Sequence, residues 1–515
     1  MSSAVFRIPI ALRTMTTAEL YKSYVQHMQR IADVRHAHAV LQWDQETYLP
    51  AKGARFRAQQ LSTLAQVSHE WFSDDALAGT LQDLLGKDDL SPEEKRNVQL
   101  SWEDYTKNKK YNAGFVRRLS DQTAKTFHAW IDARRENRFS RFENDLDQMV
   151  TLKREEAELL GYEGHPYNAL LNEFEKGATV ALLDQTFETL LPSLQKILQR
   201  IAASPQVDDA FLRQHFPREK QWQWGMGLLK SLGFDFEAGR QDISEHPFST
   251  SFNPLDVRIT TRIDEEDFGN MTWSCIHEAG HALYEQGLPE TAYGLPLGEA
   301  CSYSIHESQS RLWENHVGRS QQFWKHFYQQ LQQQFPEQIK NIDSQQFYKG
   351  INKVQPSLIR TEADEITYHF HVYIRYALEK RLLDGTLKTA DIPGYWNTQY
   401  KEWMQLSVPD DKRGCLQDVH WSHGSFGYFS TYSLGSFYAA QFYAQAQKAI
   451  PGLEAEIGSG RTQSLLQWLR QGVHRYGRAL TSNDLCRELT GKPLETEFFM
   501  NHILEKYRTI YNLYP

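Results

Sequence analysis

The sequence has few of the features that mark secreted, membrane or nucleic-acid-binding proteins. Only 4 of its 515 residues are cysteine, and no two of them form a Cys-x-x-Cys pair. A disulfide framework is therefore not expected, and so few thiols favour a reduced, cytoplasmic location. No apolar run approaches the roughly 20 residues that a membrane-spanning helix needs. The net charge of -9 argues against general binding to nucleic acid or to anionic membranes.

Patterns typical of β-strands are also rare, whereas helical periodicity covers most of the chain. Between Leu183 and Ile201, for example, apolar residues recur every three or four positions. No internal repeat, low-complexity tract or long linker divides the sequence. We therefore predict a mostly α-helical protein, with a short N-terminal extension at 1–15 and a single helical domain at 16–515.

One segment does have the alternation of a strand. Apolar and polar residues alternate from Asp256 to Ile263. We predict a small β element there, at the rim of the functional site. As an edge strand, it could bind an extended peptide by main-chain pairing.

The most informative segment reads H-E-A-G-H at residues 277–281, within a stretch of helical character from Thr272 to Tyr284. Residues four apart lie on one face of a helix, so both imidazoles can reach a single zinc ion. Zinc lowers the pKa of a bound water to about 7, which makes a nucleophile available at neutral pH. Glu278 would lie beside that water as a candidate general base.

A catalytic zinc site of this kind also needs a third protein ligand and an open position. The metzincin pattern would require Gly at 284 and His at 287, where the chain has Tyr284 and Gly287. Glu285 would place three ligands in a row on one helix face, which cannot surround a metal. The better candidate is Glu307, on a second predicted helix over Ser302–Val317 that would return antiparallel to the first.

Two further polar clusters stand out. Arg360 and Asp364 are predicted to lie one turn apart on a helix, where they either form an intrahelical ion pair or hold the arginine ready for a carboxylate. The non-periodic segment at 414–421 combines an acid, an amide and an imidazole, and aromatic residues follow it. Tyrosine or histidine donors there could stabilise the oxyanion of a tetrahedral intermediate.

The chain resembles zinc carboxypeptidases of the carboxypeptidase Taq family. The resemblance rests on five ordered motifs: D-V-R-I-T at 256–260, H-E-A-G-H at 277–281, H-E-S-Q at 306–309, I-R-T-E-A-D at 359–364 and G-C-L-Q-D-V-H-W at 414–421. It extends over nearly the whole chain from about residue 17. It implies a helical fold around a deep active-site groove, often as a homodimer. The implied activity is removal of single C-terminal amino acids from peptides with broad side-chain tolerance.

The resemblance also implies roles for single residues. By motif position, His277, His281 and Glu307 would bind one zinc ion per chain, with Co2+ or Mn2+ as possible substitutes, and Glu278 would be the general base. Arg360 is the first choice for the free terminal carboxylate of the peptide. The remaining polar residues of these segments are assigned to substrate binding (Arg258, Asp256, Gln309, Gln417, Asp418) or to catalysis as oxyanion donors (His420, Tyr428, Tyr432).

Two other functions remain open at this point. A zinc endo-oligopeptidase could use the same two-His, one-Glu site in a helical groove. A non-catalytic helical scaffold could carry a structural zinc, although such a site needs no acid at Glu278 and usually takes a fourth protein ligand. Both zinc histidines should donate their other ring N–H to an acceptor, for which Asp364, Glu299 and Asp418 are candidates.

Overall fold

The structure is a computed structural model and describes residues 15–513, so the predicted extension at 1–15 lies almost wholly outside the described residues. This part of the chain folds into 21 α-helices and one small sheet, which confirms the predicted mostly helical fold. None of its helices is long and apolar enough to cross a membrane.

The helices of the first half are α1 (Thr17–Thr47), α2 (Ala54–Phe72), α3 (Asp75–Leu85), α4 (Pro92–Asn108), α5 (Ala113–Glu136), α6 (Glu143–Leu160), α7 (Tyr167–Phe174), α8 (Val180–Ala202) and α9 (Arg218–Leu232). The strands follow as β1 (Gly239–Ile243), β2 (Ser249–Asn253) and β3 (Asp256–Thr261).

The helices of the second half are α10 (Phe268–Glu285), α11 (Tyr303–Arg311), α12 (Gln321–Gln334), α13 (Pro336–Ile339), α14 (Ser344–Ile351), α15 (Tyr368–Asp384), α16 (Ile392–Met404), α17 (Phe429–Ala449), α18 (Leu453–Ile457), α19 (Gln463–Gly472), α20 (Ser482–Thr490) and α21 (Glu497–Tyr511).

Apolar side chains form two separate clusters. The larger one extends from Ala133 to Tyr511 and surrounds α10, α11 and α17. The smaller one joins α1, α3 and α4 to the short segment at 292–295. The site elements therefore lie within the larger core, while the N-terminal helices pack around a core of their own.

The predicted strand forms as β3, but it is not an edge strand. β1 pairs with it in parallel on one side and β2 pairs antiparallel on the other, giving the order β1-β3-β2. Val257 and Ile259 are fully buried, and β3 packs against α10, whereas Arg258 between them is partly exposed. The unpaired sheet edges therefore belong to β1 and β2, because both edges of β3 are already paired.

Local sequence sets where the two central helices begin. The side chain of Asp267 accepts from the backbone N–H of Gly269 at the start of α10, and Ser302 accepts from Ile305 at the start of α11. The predicted second helix does not continue as a regular α-helix. After Arg311 it widens into a π-helix at Leu312–Gly318. Such wide turns occur frequently at functional sites.

Two glycines let α11 fit closely between α10 and α17. A Cβ atom at Gly280 would lie 2.5 Å from the Cα of Ser310 and 2.6 Å from the carbonyl oxygen of Gln309. A Cβ atom at Gly435 would lie 2.5 Å from Cγ of Glu307. The backbones therefore approach more closely than any larger residue allows, and this approach carries Glu307 toward α10.

The predicted helix around Arg360 is wrong. Arg360–Glu362 is a short 3-10 turn, and α15 begins only at Tyr368. Asp364 instead accepts from the backbone N–H groups of Ile366 and Thr367, each at 2.9 Å. The carboxylate of Asp364 is therefore used to form a turn and does not pair with Arg360.

Replacing Gly280 by alanine should destabilise the protein, because the added methyl group meets the backbone of α11. Overpacked sites of this kind cost about 1–3 kcal/mol. The matched control is Gly227→Ala in α9, where a Cβ atom meets nothing within 4 Å; this change should stabilise by about 0.5–1 kcal/mol. Chemical denaturation of both variants measures the two shifts, and equal stabilities would contradict the close packing of α10 and α11.

Candidate metal centre and active site

The three predicted metal ligands converge. Nε2 of His277 lies 3.6 Å from Oε2 of Glu307, and Nε2 of His281 lies 3.5 Å from the same oxygen. One ligand atom from each of the three side chains can be chosen so that all lie within 4.8 Å of one another. Among residues 15–513 this is the group of histidines and acids with metal-binding geometry.

The donor set fits a divalent zinc-like ion. Two donors about 2.1 Å from a tetrahedral zinc are separated by roughly 3.4 Å, close to the observed spacing. Metal binding needs an ionised carboxylate and a neutral imidazole. Burial raises the pKa of Glu307, but Arg311 and His277 outweigh it and hold the pKa of this carboxyl well below its usual value. Burial also lowers the pKa of His281.

The outer nitrogen of His277 is held by a buried carboxylate. Nδ1 of His277 donates to Oε2 of Glu314 at 3.0 Å, which leaves the Nε2 lone pair directed at Glu307. Arg311 lies between the two acids, 2.7 Å from Oε1 of Glu307 and 3.2 Å from Oε2 of Glu314. Arg319 contacts Glu314 from the other side at 3.3 Å. The two buried acids thus share Arg311, and Glu314 has Arg319 as a second positive partner.

The outer nitrogen of His281 contacts a second histidine. Nδ1 of His281 lies 2.5 Å from Nδ1 of His306, whose Nε2 lies 2.7 Å from Oε1 of Glu285. Glu285 accepts only, so His306 donates through Nε2 and accepts through Nδ1. His281 must then carry its proton on Nδ1, and its Nε2 lone pair is free to bind a metal.

The outer partners are therefore not the ones that the sequence suggested. Asp364 accepts from its own turn, Glu299 pairs with Arg478, and Asp418 pairs with arginines. A sequence signal existed for Arg311 and Glu314, which follow Glu307 at helical spacing. The partner of His281 is His306, which precedes Glu307 in the H-E-S-Q segment, but its contact with His281 depends on the packing of α11 against α10.

The candidate base is placed beside the edge strand. The side chain of Glu278 is buried, and the hydroxyl of Ser249 on β2 donates to its Oε2 at 2.5 Å. Ser249 was not predicted from the sequence, since strand and helix are 29 residues apart. The contact fixes the carboxylate of Glu278 next to the ligands on α10.

Arg360 belongs to a buried cluster of charges. Its Nε donates to Asp418 at 3.0 Å, and Arg375 contacts the other oxygen of Asp418 at 2.6 Å. Burial raises the pKa of Asp418, but Arg375 and Arg360 lower it well below its usual value. Nη1 of Arg360 lies 3.5 Å from the hydroxyl of Tyr368, whose ring lies under Arg311 at 4.4 Å. Arg360 is thus linked to the metal ligands through two side chains.

The predicted oxyanion donors lie together beside Arg360. Nε2 of His420 is 3.3 Å from the hydroxyl of Tyr432, and the rings of Tyr428 and Tyr432 are 5.1 Å apart. Burial, aided by Arg360, lowers the pKa of His420 to about 3, so its ring is neutral. Burial raises the pKa of both tyrosines above the usual value. All three groups can therefore donate a hydrogen bond without carrying charge.

Two predicted substrate-binding residues take structural positions. Gln309 is fully buried, and its Oε1 lies 3.1 Å from Nε2 of His474. The Oε1 atom of Gln417 accepts from the backbone N–H of Arg360 at 3.0 Å, so this amide shapes the turn that carries the arginine. Both amides hydrogen-bond to other residues of the protein, so we do not propose either of them as a substrate contact.

Arg258 and Asp256 form a bidentate pair, with two N–O distances of 2.9 Å. The guanidinium also lies 4.4 Å from the ring centre of Trp43, near the end of α1. The Nε and Nη2 groups of Arg258 are therefore both occupied by Asp256. Arg258 and Arg360 thus each already contact one carboxylate, that of Asp256 and that of Asp418 respectively.

The profile of the Carboxypeptidase Taq (M32) metallopeptidase family matches residues 23–507. The chain belongs to this family. Carboxypeptidase 1 of Bacillus subtilis (strain 168) is 36% identical over 494 residues, covering 96% of this chain and 99% of the relative. The M32 carboxypeptidase crystal structure from Deinococcus radiodurans R1 has a TM-score of 0.94 and 38% identity, covering 96% of this chain and 100% of that one. A solved structure named CHT has a TM-score of 0.94 and 58% sequence identity, covering 95% of this chain and 99% of that chain.

The predicted family membership is thus confirmed, and so is the predicted class of enzyme. A member of this metallopeptidase family is a peptide hydrolase of the carboxypeptidase type, acting on peptide substrates with a metal cofactor. The converging His277, His281 and Glu307 are the candidate site for that metal. The scaffold alternative is excluded by the same finding.

Removing the imidazole nitrogens of His306 should weaken metal binding without unfolding the protein. In His306→Phe, Nδ1 of His281 loses its acceptor, and loss of such outer partners typically lowers metal affinity about 10- to 100-fold. Titration of the metal-free protein against a competing chelator measures the change. The exposed His128→Phe serves as the matched control and should bind metal as the wild type does. Equal affinities for the two variants would contradict the role of His306.

Proposed function

We propose that this protein is a zinc-dependent carboxypeptidase that removes single C-terminal amino acids from peptides with broad side-chain specificity. The observation that carries the proposal is the convergence of Nε2 of His277, Nε2 of His281 and Oε2 of Glu307. The buried acid Glu278 and the buried arginine Arg360 belong to the same region. We further propose one zinc ion per chain, a homodimer and a cytoplasmic location. Co2+ and Mn2+ remain possible substitutes for zinc.

Zinc held by His277, His281 and Glu307 would supply Lewis acidity. Glu278 would accept a proton from the attacking water as its oxygen bonds to the scissile carbonyl carbon, and would deliver that proton to the amine nitrogen as the C–N bond breaks. Its carboxylate is suited to this because Ser249 fixes one oxygen at 2.5 Å and burial excludes bulk water. Oxyanion donors are supplied by His420, Tyr428 or Tyr432.

The terminal carboxylate of the peptide is assigned to Arg360. Only the Nε group of Arg360 makes a short contact with Asp418, and Arg375 pairs with the other oxygen of the same acid. A buried guanidinium with an aromatic ring at 4.8 Å offers a dry site for a second, charge-assisted pair. Arg258, with its two-point contact to Asp256, stays the second choice. An endo-oligopeptidase would need no such arginine, and membership of a carboxypeptidase family argues against that alternative.

Glu278→Gln should retain the metal and lose most turnover. The amide cannot accept a proton, and loss of a general base costs about 100- to 10,000-fold in kcat. Glu307→Ala should lose both metal and activity, because it removes a ligand. Metal analysis together with rates on a blocked tripeptide separates the two variants, and Glu505→Gln on α21 is the control. A Glu278→Gln enzyme with near-native kcat would refute the base assignment.

A peptide with a free C-terminus should be cleaved far faster than its C-terminal amide. Arg360→Gln should lower kcat/KM for the free acid about 10- to 100-fold, since a hydrogen bond to a charged group contributes about 1.5–3 kcal/mol. The same variant should leave the slow cleavage of the amide nearly unchanged. Arg258→Gln is the comparison, with a smaller expected loss. Equal cleavage of acid and amide by the wild type would favour the endo-oligopeptidase.

A further inference from the structure

Three aromatic rings pack together beside the metal ligands and stay open to a cleft. The ring centres of Phe174, Tyr303 and Tyr428 are 5.3–5.6 Å apart, and each pair meets edge to face. Tyr303 is 50% exposed, and the other two rings are partly exposed. The three residues come from α7, from the first position of α11 and from the segment before α17, and we call them the aromatic wall.

The aromatic wall has a defined position relative to the metal site. Tyr303 precedes Glu307 by four residues on α11, and Arg311 follows it by four, so the three lie on one helix face. Arg311 lies over the ring of Tyr368, and the hydroxyl of Tyr368 contacts Arg360. Tyr303 and the Arg311–Tyr368–Arg360 contacts therefore lie on opposite sides of Glu307 along α11, while Tyr428 connects the aromatic wall to Arg360 through the ring of Tyr432.

The spacing along α11 matches the spacing of a bound peptide. One helical turn rises about 5.4 Å, which is the length of roughly one and a half residues of extended chain. A peptide whose terminal carboxylate lies at Arg360 and whose scissile bond lies at the metal site thus places its next residue upstream near Tyr303.

A cleft continues from the aromatic wall. It has a volume of about 920 Å³, and Tyr303, His306 and Phe174 are among the residues that line it. Nδ1 of His306 lies 2.5 Å from Nδ1 of His281, the nitrogen that faces away from the metal site, so His306 marks the end of the cleft behind that imidazole. Ligand-binding clefts commonly have volumes of about 300–1,000 Å³. The space beside the aromatic wall is therefore large enough for upstream peptide residues.

The aromatic ring at position 303 is not needed to build the helix. The start of α11 is capped by Ser302, whose side chain accepts from Ile305. Half of the surface of Tyr303 remains in contact with solvent, so its burial adds little to the core. Three partly exposed aromatic rings in contact form an apolar surface with few polar groups, which is the chemistry that binds apolar side chains.

We propose that the aromatic wall of Phe174, Tyr303 and Tyr428 binds the side chain of the residue that precedes the C-terminal residue of the substrate, with a preference for large apolar and aromatic side chains. The inference rests on the proposed function, because the direction of the peptide is set by the terminal carboxylate at Arg360.

The test compares three blocked peptides: acetyl-Ala-Phe-Ala, acetyl-Ala-Gly-Ala and acetyl-Ala-Ala-Phe. The wild type should cleave the first with a higher kcat/KM than the second. Tyr303→Ala should lower kcat/KM for acetyl-Ala-Phe-Ala about 10- to 100-fold, the usual range for apolar pocket contacts. Cleavage of acetyl-Ala-Gly-Ala should change less than about twofold, because glycine makes no contact with the ring.

Two further variants serve as controls for the proposed role of Tyr303. Tyr303→Phe keeps the ring and should keep the preference for Phe over Gly at the penultimate position. Leu504→Ala, an exposed residue on α21, should leave all three rates unchanged. Metal content and circular dichroism of each variant show that the fold and the metal site are intact.

The outcomes separate the inference from the function on which it rests. If Tyr303→Ala slowed the Phe and Gly peptides equally, or if only acetyl-Ala-Ala-Phe responded, the aromatic wall would not bind the penultimate residue. A wild type that does not discriminate between the first two peptides would overturn the inference as well. If the wild type cleaved none of the three in a chelator-sensitive way, the proposed carboxypeptidase itself would fail, and the inference with it.

Discussion

The contact of α11 with α10 and α17 is the constraint on which the site depends. The two histidines follow from the sequence of a single helix, but the carboxylate of Glu307 reaches them only because Gly280 and Gly435 remove side chains from both neighbouring surfaces. Close approach has a cost, since it places Glu307 in a buried environment. Arg311, one turn further along the same helix, compensates the charge at 2.7 Å. Geometry and charge compensation of the site thus come from the same short helix.

The surrounding polar groups form two separate networks with different tasks. Around the candidate metal ligands, Glu314 and the His306–Glu285 pair fix the orientation and tautomer of each imidazole. Around Arg360, Asp418 is shared with Arg375, so one acid is balanced by two arginines. That surplus of positive charge suits a site that receives an anion. Tyr368 lies between the networks and contacts both Arg311 and Arg360.

Residue spacing in the sequence predicted the local structure, such as helices and the side chains on one helix face. The contacts between distant segments depend on tertiary packing and could not be predicted in this way. Helical periodicity gave the mostly helical fold and α10, and the spacing of His277 and His281 placed both on one face. The helix around Arg360 was predicted wrongly, because Asp364 forms a turn with Thr367 that ends the helical pattern. The pairing of β3 on both sides and the contact of Ser249 with Glu278 join distant segments, which no local pattern can reveal.

The π-helix at Leu312–Gly318 separates two regions that must each keep their own register. Before it, α11 is locked by its glycine contacts. After it, Arg319 donates to the carbonyl of Ile351 at 2.6 Å, and the indole of Trp324 donates to Gly318 at 2.8 Å. The wide turn itself carries Glu314, which accepts from Nδ1 of His277 at 3.0 Å and is held by Arg311 and Arg319. The wider backbone spacing thus sets the position of an acid that orients one imidazole, so the register of this segment is coupled to the site as closely as that of α11.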